Sequence, residues 1–461
     1  MTQGLALAPV RGRDRIEVLD MMRGFAILGI FYMNLPAMMG PMVAMFGEIR
    51  KLGWSLADQR AWLFMETFLE GTQRGMLEFL FGAGLMVTAA KAMEPDGPVA
   101  VADLYIRRNL WLLAFGLVDL FILAWMGDIL HVYALCALAL FPFRKMKVKW
   151  LLTLGLLFGV AQFIGGTLEY IDRSQTQATY QAAQVKQAKG EALTKPETEA
   201  VKTWTEKQKK ITEGDPMLQK LSKDEAKARD GSFTEYAGFF ISTYMMINAK
   251  GALLFGIIEA FGTMLIGIAL WKLGFLQGKR STRAYVWALV LAYGFGLTAR
   301  YVGGLERMTF SPIPKTLWMT QELARIAVSL GHVALINLLV RFAWGKGLLS
   351  PLKAAGQMAF SLYFLEQIIG IWVLYSPIGL HLPSGQGWAY VMWQASVVVV
   401  LLLIFANVWM RVFQSGPLEW VWRSLAYGRK QPFRRPKAAL AAVTPGAGAG
   451  DVIRPARPLS Q

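Results

Sequence analysis

The sequence predicts an all-α fold: a polytopic transmembrane helix bundle of about ten spans, with both termini in the cytoplasm. Three observations predict it. The chain has 461 residues, of which 55% are hydrophobic and only 17% charged, whereas a soluble domain holds about a quarter charged residues. Its mean hydropathy is +0.38, and the apolar residues come in blocks of roughly 20, the length that crosses a bilayer core. Lys and Arg fall in alternate short loops between those blocks, the bias that orients a polytopic protein.

The first block follows Arg15-Ile-Glu-Val-Leu-Asp-Met-Met-Arg23, and no residue from Gly24 to Gly47 carries a charge. It is longer than a signal-peptide core and no small-residue cleavage site follows it, so it reads as an anchor. The spans read from the apolar windows are about 20–40, 66–90, 106–125, 128–143, 149–170, 252–273, 284–302, 322–343, 355–378 and 388–411. With the N-terminus inside, Arg11, Arg13, Arg15, Lys91, Arg107, Arg108, Arg144, Lys145, Lys272, Lys279, Arg341 and Lys346 all lie in cytoplasmic loops. The outside loops at 126–128 and 379–387 contain no Lys or Arg.

Four regions follow. Residues 1–171 hold the first five spans. Residues 172–232 form a polar, helical, extracytoplasmic insert with 12 Lys/Arg and 10 Asp/Glu. Pro196 and Pro216 divide it into short helices, since proline breaks a helix interior. Residues 233–428 hold the remaining spans, an interfacial segment at 233–248 and a juxtamembrane helix. That helix reads from Pro417, suited to a first helical position, to Gly428, suited to the residue past the end. Residues 429–461 form a basic, disordered tail.

The net charge of +17 admits nucleic acid as a partner, but the placement of the charges fits the lipid bilayer, and no nucleic-acid site is expected. The lone Cys136 excludes a disulfide framework or a cysteine zinc site. His131, His332 and His381 are too scattered for a metal centre, so no metal is expected. No phosphate-binding glycine loop, nucleophile elbow or HExxH motif occurs. The oligomeric state is left open.

Polar groups inside apolar windows are expensive, and they pair or line cavities. Asp20 and Arg23 stand three apart and share a helix face. Glu66, Glu70, Arg74 and Glu78 step by four along the second span, one stripe on a continuous helix, where Arg74 can pair with Glu70 or Glu78. Asp128 begins a helix and suits its N-terminus. His131 lies three residues on, where an aspartate can orient an imidazole as a general base. Asn34, Asp119, Glu259, Glu366 and Gln367 are further polar groups within the windows. His332 reads as a packed core residue.

Several stretches together resemble a known family. They are Arg15 to Asn34, Phe79-Leu-Phe-Gly-Ala-Gly84, Gly127-Asp-Ile-Leu130, Gly262 to Leu276, Gly356 to Gln367 and Gly416-Pro-Leu-Glu-Trp420. The chain resembles the YeiB-like bacterial membrane proteins, known as domain of unknown function 418, over nearly its whole length apart from the insert and tail. That family is similar to the transmembrane acyltransferase superfamily, which includes heparan-alpha-glucosaminide acetyltransferase and polysaccharide O-acyltransferases. The superfamily's Leu-Asp-x-x-Arg-Gly motif is matched by Leu19, Asp20, Arg23 and Gly24. The glucosaminide enzyme has an asparagine like Asn34 with a histidine close behind it. Here the next histidine is His131, on another helix.

The resemblance implies an inner-membrane protein that moves an acyl group from cytosolic acyl-CoA, as donor substrate and not as a resident cofactor, to an envelope glycan or lipid. Asn34, Asp128 and His131 are then the candidate catalytic residues. Arg23, Arg107 and Arg108 would hold CoA phosphates, with Asp20, Arg74, Glu78 and Gln367 as further substrate contacts. Such a site requires Asp20, Arg23, Asn34, Asp128 and His131 to converge on one cavity. Two other function classes use the same residues differently. A transporter or flippase would carry ions on Asp119, Glu259 or Glu366, and a non-catalytic scaffold would use the polar groups only to join helices.

Overall fold

A computed structural model describes residues 16–89, 99–213 and 215–435. Arg11, Arg13, Arg15, Lys91 and the tail from Lys437 lie outside the described residues. The protein is all-helical, with no strand among the described residues.

Helix α1 (Glu17–Met39) is stopped by Gly40 at φ +70°, and short 3-10 turns follow to Leu52. Helix α2 (Leu56–Phe68) begins at a Ser55/Asp58 capping box, in which each side chain accepts a backbone N–H that the first turn leaves unpaired. Helix α3 (Thr72–Ala89) starts anew after Gly71, whose φ is +69°. Helices α4 (Val99–Phe121) and α5 (Leu130–Leu140) form the next pair.

Helix α6 (Val148–Ala188) runs unbroken for 41 residues. At 1.5 Å per residue that is about 62 Å, roughly twice a bilayer's hydrocarbon core. Helices α7 (Lys195–Glu213) and α8 (Pro216–Arg229) complete the polar insert, and Pro196 and Pro216 both sit in first turns. The insert docks on the bundle through α8. The Glu225 carboxylate accepts the Met42 amide at 2.6 Å, and Arg229 donates to the Met38 carbonyl at 3.0 Å. Helix α9 (Phe233–Asn248) starts at a second capping box, Ser232/Glu235.

The second half contains α10 (Ala252–Lys272), α11 (Thr282–Met308), α12 (Lys315–Leu339), α13 (Ala343–Gln357), α14 (Ala359–Gln367), α15 (Trp388–Val412) and α16 (Pro417–Tyr427). Helix α14 winds on as a π-helix over Ile368–Tyr375. It bends 76° from α13. Glu419 of α16 caps the restart, accepting the Phe360 amide at 2.7 Å and the Ser361 amide at 3.2 Å. Helix α16 ends at Gly428 with φ +61°, as its sequence signals indicate.

The ten expected spans are reduced. Among the described residues six helices are long and apolar enough to cross a membrane, namely α1, α6, α10, α11, α12 and α15, or seven if bent α13–α14 counts as one. The windows at 66–90, 106–125 and 128–143 correspond to other elements. The first is cut by the Gly71 break, and α4 carries Asp103, Arg107, Arg108 and Asp119. Helix α5 has 11 residues, about 16 Å, half the needed length. The Gly71 break also interrupts the expected Glu66–Glu78 stripe. Glu66 lies on α2, Glu70 in the break, and Arg74 and Glu78 on α3.

The basic segments gather at one end of the bundle. Glu17 meets Lys346 at 3.3 Å and also pairs with Lys353. Trp422 donates to the Arg108 carbonyl at 2.8 Å, Lys272 to the Met146 carbonyl at 2.6 Å, and Arg341 to Thr282 at 2.6 Å. The opposite end holds the insert, α9, the α4–α5 turn and the start of α15.

Candidate active site

Two cavities lie toward opposite ends of the bundle and share a wall. The larger, about 690 Å³, lies between α1, α3, α4, α5, α14 and α16 at the basic end. Antiparallel helices set its depth. Ile16 to Ile27 on α1 and Thr88 to Leu77 on α3 both line it, and eleven residues of helix rise about 16 Å. Its mouth is polar. Arg23 donates to Asp20 at 3.2 Å and to the Gly356 carbonyl at 3.4 Å, and Gln357 reaches Asp20 at 3.4 Å. The Arg108 guanidinium lies 4.7 Å over the Trp422 ring and 3.4 Å from the Thr88 hydroxyl. Below this layer the walls are aliphatic and aromatic.

The smaller cavity, about 200 Å³, lies at the insert end between α3, α5, α9 and α10, beside the α4–α5 turn. Asp128 caps α5 by accepting the amides of Leu130 at 3.1 Å and His131 at 2.9 Å. The same carboxylate lies 2.7 Å from His131 Nδ1. A carboxylate there accepts a hydrogen bond from Nδ1–H, which leaves Nε2 as the basic nitrogen. Nε2 faces the Tyr244 hydroxyl of α9 at 3.2 Å. Arg74 and Asn248 complete the polar lining.

Ile129 and Tyr133 border both cavities. A second link runs through Tyr363, which lines the larger cavity and donates to Asp128 at 3.2 Å. The Asp128–His131 pair is therefore held from the larger cavity and lines the smaller one.

Residues 270–429 match the family described as protein of unknown function, DUF418. Over that stretch the chain is similar to the DUF418 family, and over most of its length to the YeiB-like proteins. It is 29% identical over 442 residues to the uncharacterized protein YxaH of Bacillus subtilis, covering 93% of this chain and 98% of the relative. It is 24% identical over 428 residues to the uncharacterized protein YeiB of Escherichia coli, covering 89% and 96%. An uncharacterized 39.9 kDa protein from the amylase 3' region of Bacillus acidopullulyticus is 24% identical over 437 residues, covering 94% and 99%. No solved structure matches the chain significantly. The DUF418 region supplies Gln357, Tyr363, Glu419, Trp422 and Arg423 to the larger cavity.

The expected convergence on one cavity is corrected to a division between two. Asp20, Arg23 and Arg108 line the larger, and Asp128, His131 and Arg74 the smaller. Asn34 lines neither, because it stands eleven residues beyond Arg23, about 16 Å along α1. Arg107 points outward and pairs with Asp103 at 2.7 Å. Gln367 is fully buried at the start of the π-helix, borders neither cavity, and its amide has no hydrogen-bond partner among the described residues.

Glu78 also lines neither cavity. It lies in a buried ion cluster behind the shared wall, accepting from Tyr133 at 3.2 Å and from Arg325 at 2.9 Å. Arg325 also meets Glu259 at 3.0 Å and Glu322 at 2.7 Å, and Arg74 meets Glu259 at 2.5 Å. Arg74 is 3.9 Å from Glu78 but forms no pair with Glu70, because the helix break separates them. Sequence reasoning missed Arg325 and Glu322, although charges inside the 322–343 window are the signal that should have raised them. Tyr244 and Tyr363 carry no such signal, since tyrosine is ordinary in an apolar helix.

Proposed function

We propose that this protein is a transmembrane acyltransferase of the bacterial inner membrane. The larger cavity takes acyl-CoA from the cytoplasm, and the smaller takes a hydroxyl-bearing acceptor from the envelope side. The observation that carries this reading is the shared wall: the His131 dyad stands in one cavity, and Ile129 and Tyr133 border both. Loop charges support a cytoplasmic basic end with both termini there.

In this reading Arg23, Arg108 and Arg423 hold the anionic head of the donor. His131 Nε2 accepts the proton of the acceptor hydroxyl as its oxygen attacks the thioester carbonyl. The C–S bond breaks, and the imidazolium passes its proton to the leaving CoA thiolate, which restores neutral His131. Asp128 keeps Nδ1 protonated and stabilises the imidazolium. Tyr244, which occupies Nε2 in the absence of acceptor, is placed to hand that position to the incoming hydroxyl. Movement of the Tyr133 or Ile129 side chain then opens the wall to the thioester.

The test uses purified protein in nanodiscs, radiolabelled acyl-CoA, and envelope lipids and glycans extracted from a strain lacking the gene. Label is expected to move to one acceptor fraction. His131→Gln and Asp128→Asn should each slow transfer by about 10²–10⁴-fold, the usual range for a general base, while Arg107→Ala leaves it unchanged. Absence of transfer by well-folded protein with every acyl-CoA tried overturns the proposal. Substrate accumulation in vesicles regardless of acyl-CoA would point to transport instead.

A further inference from the structure

We infer that the deep part of the larger cavity is a binding site for a long hydrocarbon chain, and that Gly84 keeps it open. The inference extends the acyl-transfer reading by naming the donor as a long-chain acyl thioester.

Leu77, Phe81, Gly84 and Thr88 all line the cavity, and their spacing puts them on one face of α3. Two glycines on this helix serve opposite purposes. A Cβ on Gly82 would stand 2.1 Å from the Met264 carbonyl oxygen, so Gly82 lets α10 approach. A Cβ on Gly84 would meet nothing within 4 Å among the described residues. No helix contact requires glycine there, and the missing side chain adds volume to the cavity.

The deep walls select against a polar occupant. Ile27, Leu80, Leu112 and Leu130 offer no hydrogen bonds. The two tyrosines at that depth are already engaged: Tyr133 with Glu78 and the Arg74 carbonyl, both at 3.2 Å, and Tyr363 with Asp128. Amides or sugars there would lose water without replacement partners, which is costly. A hydrocarbon loses nothing. The mouth suits an anionic head, with Arg23, Arg108 and Arg423 around it. Its two carboxylates are committed, Asp20 to Arg23 and Glu419 to the α14 amides. An amphiphile with one chain and an anionic head fits both layers.

The experiment measures binding of free CoA, acetyl-CoA, decanoyl-CoA, palmitoyl-CoA and palmitate to the full chain in nanodiscs. Each buried methylene contributes about 0.8 kcal/mol, about fourfold in affinity. Decanoyl-CoA is therefore expected to bind at least 100-fold more tightly than acetyl-CoA. Gly84→Leu should remove at least tenfold of that gain. Leu112→Phe, which narrows the opposite wall, should act in the same direction and serves if Gly84→Leu does not fold. Equal affinity for all chain lengths overturns the chain site while leaving the CoA donor in place. Binding of palmitate with no binding of any CoA compound supports the chain site and overturns the CoA donor. No binding of either class overturns both.

Discussion

Gly24 and Gly356 meet where α1 crosses α13. A Cβ on Gly24 would lie 2.1 Å from the Leu352 carbonyl oxygen, and one on Gly356 only 1.8 Å from the Asp20 carbonyl oxygen. Small residues let transmembrane helices approach until their backbones touch. This crossing fixes the mouth of the larger cavity, because Asp20, Arg23 and Gln357 stand immediately beside it. Gly356→Ala is therefore expected to destabilise the protein by about 1–3 kcal/mol, the usual cost of overpacking. The single cysteine provides the measurement. Cys136 is buried, so a thiol-reactive fluorophore labels it as the protein unfolds on heating. An unchanged labelling midpoint in Gly356→Ala would show that the helices separate easily there.

How far the sequence could be read depended on the range of the interaction. Local signals were legible. Asp128 caps α5 and Asp20 pairs with Arg23, because both contacts lie within one helical turn. Pro417 and Gly428 bracket α16 for the same reason. Contacts between distant segments were not legible. Spacing alone carries no information that Arg325 joins Glu78 across 247 residues, or that Tyr244 meets His131 across 113. The Gly71 break was hidden by the even spacing of Glu66, Glu70, Arg74 and Glu78, which mimics a continuous helix. Asn34 matched a motif by its position in the chain, but helical rise carries it away from Arg23. The overall helical class was secure because it follows from hydropathy, whereas the number of crossings depends on where breaks fall.

The cluster around Arg325 predicts a strongly asymmetric response to substitution. Two guanidinium groups, Arg74 and Arg325, face three carboxylates, Glu78, Glu259 and Glu322. Arg325 also donates to Thr263 at 2.8 Å. Arg325→Leu leaves three carboxylates against one guanidinium in a largely buried site, so it should cost about 3–5 kcal/mol, as for breaking buried ion pairs. Arg325→Lys keeps the charge but cannot reproduce a planar fork serving Glu78, Glu322 and Thr263 together. It should rescue only part of that loss. Cys136 labelling midpoints for the two variants and for Glu322→Gln give the comparison. Equal stability of Arg325→Lys and the unsubstituted protein would mean that charge alone matters there.

Asp58 predicts a dependence of stability on pH at the insert end. Its carboxylate accepts the Ser55 amide at 3.0 Å, the Ser55 hydroxyl at 2.7 Å and the Ala389 amide at 3.0 Å. It thereby caps α2 and ties it to the first turn of α15. Burial pushes this carboxyl up, but the Ala389 and Ser55 donors outweigh burial and hold it below the usual aspartate range. A depressed folded-state value gives a contribution that is fully present above the unfolded value of about 3.9 and is lost as pH falls through the folded value. Thermal stability should therefore drop as the pH is taken from about 5 toward 3, in part because Asp58 takes up a proton. Asp58→Asn offers one acceptor oxygen where the carboxylate offers two, and should cost about 1–2 kcal/mol at neutral pH, the range for losing a helix cap. It should also flatten the acid limb of the stability profile. Midpoints of Cys136 labelling, read with a reagent active at low pH across pH 3 to 7 in both proteins, decide the point. Parallel profiles would assign the acid sensitivity to other carboxylates.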